Sequence, residues 1–203
     1  MRLSCLLLLI AAGAAGSEVN VRIDVNAISS RIQLAGGKVM PGSSGSAVQA
    51  NWLREASLRP CYLISQFSIP AMTWTEVAFS FTPSAAGKAT LSLSGPWRQK
   101  VILDSFSSDM IPVTYDNVRV EGATLVNGSF ETPTYGRGQL AKGWTNVVFS
   151  EYPRLVVNPF AAQDGAKAVE VWSNCPMNQV ITVQAGVLVT VRAWAWSNVP
   201  TAP

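Results

Sequence analysis

The chain contains no histidine, and that absence narrows its chemistry before any element is placed. Serine–histidine and cysteine–histidine nucleophiles, imidazole zinc sites and histidine pH switches are all excluded. What remains is 12 acidic residues, a few Lys and Tyr side chains, and aromatic faces that include seven Trp. Carboxylate catalysis needs two acids positioned across a reacting bond. No acids form a spaced pair on one strand beside an aromatic subsite. The Gly-rich stretch 36–45 has no Lys-Ser/Thr ending and follows no βα unit, so it is not a phosphate loop. No enzyme is expected.

The aromatic side chains are the stronger candidates. Flat C–H faces stack on rings, and polar neighbours take up hydroxyl groups, so a sheet face carrying several Trp with Arg or Glu is a carbohydrate platform. Period-two alternation over 187–196 puts Val187, Val189, Val191, Ala193 and Ala195 on one face. Leu188, Thr190, Arg192, Trp194 and Trp196 fall on the other. Over 166–172, Lys167, Val169 and Val171 oppose Ala168, Glu170 and Trp172. If these strands are neighbours, Trp172, Trp194, Trp196, Arg192 and Glu170 converge as a ligand-binding set. The competing reading is that these Trp cover a core or an interface, with Arg192 lying along an indole. Trp74, Trp97 and Trp144 each begin or end a strand and read as structural, whereas Trp52 beside Arg54-Glu55 fits either role.

The elements that must position these residues are strands. Val19, Val21, Ile23 and Val25 alternate with polar residues, and 35–46 is a Gly/Ser-rich loop. A hairpin runs from Trp74 through the Pro83–Gly87 connection to Ser94, and another strand follows Pro112. Outside the first residues, no window of 12 or more positions has a helical period. Residues 121–128 read as a joint, after which short strands resume. Regular turn signals between short strands predict an all-β sandwich.

The amino terminus reads as a targeting segment. Met1–Ser4 is short and basic, Cys5–Ala12 is apolar, and Gly13–Ser17 is a run of small residues. This is the pattern of a secretory signal peptide over residues 1–16, with cleavage near Gly16. Beyond it, no apolar stretch approaches the roughly 20 residues of a membrane span. The mature protein is therefore expected to be secreted or held in the cell envelope. Cys61 and Cys175 then sit in an oxidising compartment, either as a disulfide or as buried thiols. A net charge of +3 with no basic run gives no footprint for nucleic acid.

The string Asp116-Asn-Val-Arg-Val-Glu-Gly-Ala123, followed by Asn127-Gly-Ser-Phe-Glu131 and Gly143-Trp144, resembles galactose-binding-like jelly rolls. It is similar to carbohydrate-binding-module-like domains of exported bacterial proteins that degrade polysaccharides. Trp74–Pro83, Gly87–Gly95 and Gln179–Gly186 look like the same type. The resemblance implies a jelly-roll β-sandwich over 17–122. A smaller β-sandwich-like unit would follow over 123–203, ending before a closing Asp-x-Val. It also implies a structural calcium held by Asp116, Glu131 and Asp164 with loop carbonyls near Asn127, calcium being a cation that takes six to eight oxygens. The opening motif and the closing Asp116 are split between the two units, so either the second unit is truncated or swapped, or the units complete one another. Asn127-Gly-Ser is formally a glycosylation sequon but reads as the turn that opens the second unit. The function expected is non-catalytic binding of a carbohydrate. The alternative is a structural envelope or assembly protein that uses its Trp-rich face for protein contacts.

Overall fold

The structure is a computed structural model that describes residues 18–27, 34–39, 47–48, 62–102, 105–136, 139–146, 153–158, 160–172 and 175–198. The first strands in chain order are β1 (Glu18–Ala27), β2 (Leu34–Val39), β3 (Ala47–Val48), β4 (Tyr62–Pro70), β5 (Thr75–Pro83) and β6 (Gly87–Ser94). There follow β7 (Trp97–Ile102), β8 (Ser105–Met110), β9 (Val113–Glu121), β10 (Pro133–Gly136) and β11 (Gln139–Ala141). The last are β12 (Thr145–Asn146), β13 (Arg154–Val157), β14 (Lys167–Val171), β15 (Met177–Val183) and β16 (Val189–Trp196). No helix occurs among the described residues. None is therefore long and apolar enough to cross a membrane.

Two six-stranded sheets carry the fold, one ordered β12-β15-β6-β1-β4-β3 and the other β13-β14-β9-β16-β5-β2. Every pairing between their strands is antiparallel. The chain changes sheet at each step from β4 to β5 to β6, and again from β14 to β15 to β16. Their inner faces form one core. Val21, Ile23, Val25, Leu91, Leu93 and Ile181 from the first sheet meet Val77, Phe79, Phe81, Tyr115, Val169 and Val191 from the second. The period-two pattern is sufficient for this, because each strand presents one apolar edge and the two edges face each other across the sandwich. This is an all-β sandwich, as the strand pattern predicts.

The expected division at 122/123 does not divide the sheets. β16 lies between β9 and β5, β14 pairs with β9, and β15 pairs with β6. Strands from the supposed second unit therefore fill the interior of both sheets. The physical reason is backbone hydrogen bonding: without β16, both β9 and β5 would present an unpaired edge to the core. The third possibility left by the split motif is the one seen, for the two halves complete one another. Residues 1–16, read as a signal peptide, and Cys61 lie outside the described residues, and Cys175 is buried.

Tyr115 ties the two sheets together through the core. Its hydroxyl accepts from Arg22 N–H at 3.1 Å and lies 2.9 Å and 2.8 Å from the carbonyls of Arg22 and Ser94, either of which takes its proton. Arg22 and Ser94 are cross-strand partners in β1 and β6. Burial, opposed mainly by the Arg22 backbone bond, pushes the phenol well above its ordinary pKa, so it stays a neutral donor.

Candidate functional site

The segment Asn127–Glu131 works as a staple. Asn127 has φ 53°, and its side-chain amide donates to the carbonyls of Thr132 (2.9 Å) and Lys142 (3.2 Å) while its Oδ1 accepts from Thr132 N–H (3.1 Å). Its own carbonyl accepts from the Trp144 indole N–H at 3.0 Å. Gly128 passes so close to β9 that an added Cβ would lie 1.9 Å from the Val118 carbonyl oxygen. That approach lets the Gly128 carbonyl accept from Val118 N–H at 2.8 Å. Phe130 is wholly buried and packs on Trp144, ring centroids 5.2 Å apart. The sequence expectation that Trp144 is structural holds. Asn127 forms a turn, as read, but that turn lies within a single sandwich and does not open a second unit.

Glu131 and Asp116 reach the same loop. Residues 160–166 connect β13 to β14. Glu131 Oε1 accepts from the backbone N–H groups of Ala166 and Lys167, both at 2.8 Å. Asp116 Oδ2 accepts from Gln163 N–H and Asp164 N–H, both at 2.9 Å, and its Oδ1 accepts from Asn117 N–H at 2.6 Å. Gly165 has φ 68°, and a Cβ there would lie 2.5 Å from Glu131 Oε1. The expected calcium ligands Asp116 and Glu131 thus reach one loop, which Asp164 belongs to, and both carboxylates accept backbone N–H groups there. The Lys167 ammonium also lies 3.4 Å from Glu131 Oε2. Asp164 is exposed. Among the described residues, no three His, Cys, Asp or Glu side chains are grouped to hold a metal.

The two latch carboxylates are driven in opposite directions. Burial pushes Asp116 up to about 6, although the backbone donors of Asp164, Asn117 and Gln163 pull it down. For Glu131, partial burial raises the pKa, but the Ala166 and Lys167 N–H groups and the Lys167 ammonium outweigh it and hold the carboxyl below its ordinary value.

The aromatic candidates lie on the outer face of the second sheet. Val189, Val191, Ala193 and Ala195 point into the core as predicted, leaving Thr190, Arg192, Trp194 and Trp196 outside. On β9, Thr114 and Asp116 alternate with the core residues Val113 and Tyr115, and on β14, Glu170 alternates with Val169 and Val171. Thr114 is the cross-strand partner of both Glu170 and Trp196. Those two residues therefore share a row, two strand spacings or about 10 Å apart. Trp194 stands opposite Asp116 on one side and Glu76 on the other. Trp194, Trp196 and Arg192 are all half-buried. Trp172 is half-buried too, but it sits at the corner where the chain leaves this sheet, bridged to Cys175. It stands at the end of the face, with β9 between its strand and β16.

The charged members already have partners. Arg154 Nε donates to Glu170 Oε1 at 2.7 Å. Arg192 lies 3.6 Å from Glu76 and 3.9 Å from Glu121. Sequence reasoning missed Arg154, Glu76 and Glu121. The alternation of β5 places Glu76 opposite Val77, which is a usable signal, but no local pattern reveals which strand lies beside it. Trp74, just before β5, is half-buried rather than enclosed. The Trp97 side chain and Trp52 lie outside what is described. No family model, no curated protein and no solved structure matches the chain.

Proposed function

We propose that the protein is an exported, non-catalytic carbohydrate-binding protein whose ligand rests on the outer face of the second sheet. The observation that carries this reading is the placement of Trp194 and Trp196 on the side of β16 away from the core. Four small apolar residues already satisfy the core from that strand. The two indoles therefore do not fill the core between the sheets, and each is partly open to solvent. Beside them the partly open Arg192 guanidinium suits sugar hydroxyls, while Thr114, Thr190 and Glu170 are buried beneath the face. The paired state of Arg192 and Glu170 also fits this role, because an ion pair at the surface holds its donors in a fixed direction without demanding a charged ligand. The resemblance of the Asp116–Ala123 and Asn127–Glu131 strings to galactose-binding-like jelly rolls points the same way, as does the secretory pattern at the amino terminus.

Affinity electrophoresis through gels containing xylan, galactomannan, laminarin or pectin tests the reading. Retardation in at least one gel, abolished by Trp196→Ala while the urea midpoint stays within error, is the expected result. Mobility unaffected by every polysaccharide, together with self-association lost in Trp196→Ala, would replace it with the assembly role.

A further inference from the structure

The most exposed large apolar side chain among the described residues is Phe160, at 97 % of its full accessible area. A ring left this free usually belongs to a loose segment, but here the backbone beneath it is held at many points. Phe160 N–H donates to Asn158 Oδ1 at 3.0 Å, and the Ala161 and Ala162 N–H groups donate to the Asn158 carbonyl at 2.9 and 3.0 Å. Asn158 N–H closes the loop on the Ala166 carbonyl at 2.9 Å. Asp116 and Glu131 then accept the four N–H groups of Gln163, Asp164, Ala166 and Lys167. Gln163 Oε1 also accepts from the Asn117 side-chain amide at 3.0 Å.

The position of that latch matters as much as its strength. Asp116 projects from the outer face of β9 and is the cross-strand partner of Trp194. The loop backbone that caps Asp116 therefore lies on the same face as the two indoles, one strand away from β16. Asn117, with φ 48°, is the extra residue of the bulge between the Trp194 and Arg192 pairings, and bulges re-aim what they carry. It anchors the loop at that spot.

We propose that Phe160 is a second aromatic contact for the carbohydrate, a wall beside the Trp194–Trp196 floor. This inference rests on the carbohydrate-binding reading above. Among possible occupants, a sugar ring fits best. One ring offers far less area than the roughly 1,000 Å² of a stable protein interface, but it matches the C–H face of a single pyranose. The described residues of the loop, Phe160 to Ala166, include no cation and one exposed acid, Asp164, which opposes an anionic lipid surface. Because the backbone beneath the ring is already held, binding has only the side-chain torsions left to order, which favours a weak, flat ligand.

The test uses the full chain and the polysaccharide gels named above. Because the ring is solvated, Phe160→Ala should leave the urea midpoint unchanged while weakening retention at least tenfold, and Phe160→Tyr should restore most of it. Retention of Phe160→Ala equal to that of the parent, while Trp196→Ala loses binding, overturns this inference and leaves the carbohydrate-binding reading intact. A parent protein retained by no polysaccharide overturns both. Phe160-dependent sedimentation with phosphatidylcholine–phosphatidylglycerol vesicles, without polysaccharide retention, would assign the ring to a membrane surface instead.

Discussion

Replacing Asp116 by Ala isolates the latch that shapes the candidate site. The carboxylate accepts three backbone N–H groups, those of Asn117, Gln163 and Asp164. Hydrogen bonds to a charged group contribute about 1.5–3 kcal/mol each, which sets a ceiling near 5–9 kcal/mol for three. Two effects reduce it. The loop can lift and let its amides reach water, and removing a buried carboxylate also removes the desolvation that pushes its pKa up. A net loss of about 2–4 kcal/mol remains, a large part of the stability of a domain this size. Urea unfolding followed by intrinsic fluorescence gives the loss at constant m-value. Amide hydrogen exchange should show Gln163 and Asp164 losing protection while the β16 amides keep theirs. A loss under about 1 kcal/mol with unchanged exchange at Gln163 and Asp164 would refute the latch.

Tyr115→Phe deletes only the hydroxyl that joins β9 to Arg22 and Ser94, and should cost about 1–3 kcal/mol in urea unfolding by leaving buried backbone groups unsatisfied. Asp116 also predicts a pH dependence whose sign is unusual for an acid. Its folded pKa of about 6 lies above the ordinary 3.8, so the folded state binds the proton more tightly. Its contribution is complete below the ordinary value and is lost as pH rises through about 6. The Tm of the parent minus that of Asp116→Asn should therefore grow as pH falls from 7 to 4, and a difference that shrinks would contradict the assignment. Glu131, held below its ordinary value, acts in the opposite sense, so Glu131→Gln should lose its stability deficit relative to the parent on acidification.

What the sequence discloses here is what each strand determines by itself. The alternation Val189-Thr-Val-Arg-Ala-Trp-Ala-Trp196 fixes which side chains face the core, because the period is a property of one strand. Which strand lies beside it is a property of the whole sheet, so the Glu76 and Glu121 partners of Arg192 could not be read. The same limit produced the false boundary. Residues 121–128 have the turn chemistry of a linker, and it is the pairing of β14, β15 and β16 with β9, β6 and β5 that places the strands on both sides of them in the same two sheets. Asp116 and Glu131, the acids read as calcium ligands, both accept backbone N–H groups of one loop. Such backbone donors leave no mark in a sequence. No local pattern singles out Phe160, because the backbone of its loop is held by Glu131 and Asp116 from 35 and 47 positions away.

The central claim is most directly tested by the indole N–H signals of the seven Trp in a ¹H–¹⁵N spectrum, titrated with fragments of a polysaccharide that retains the protein. The account predicts that the signals assigned to Trp194 and Trp196 move in step with saturation. Trp144, enclosed in the core with its N–H on the Asn127 carbonyl, should stay still. Saturable binding that leaves Trp194 and Trp196 unmoved would contradict it.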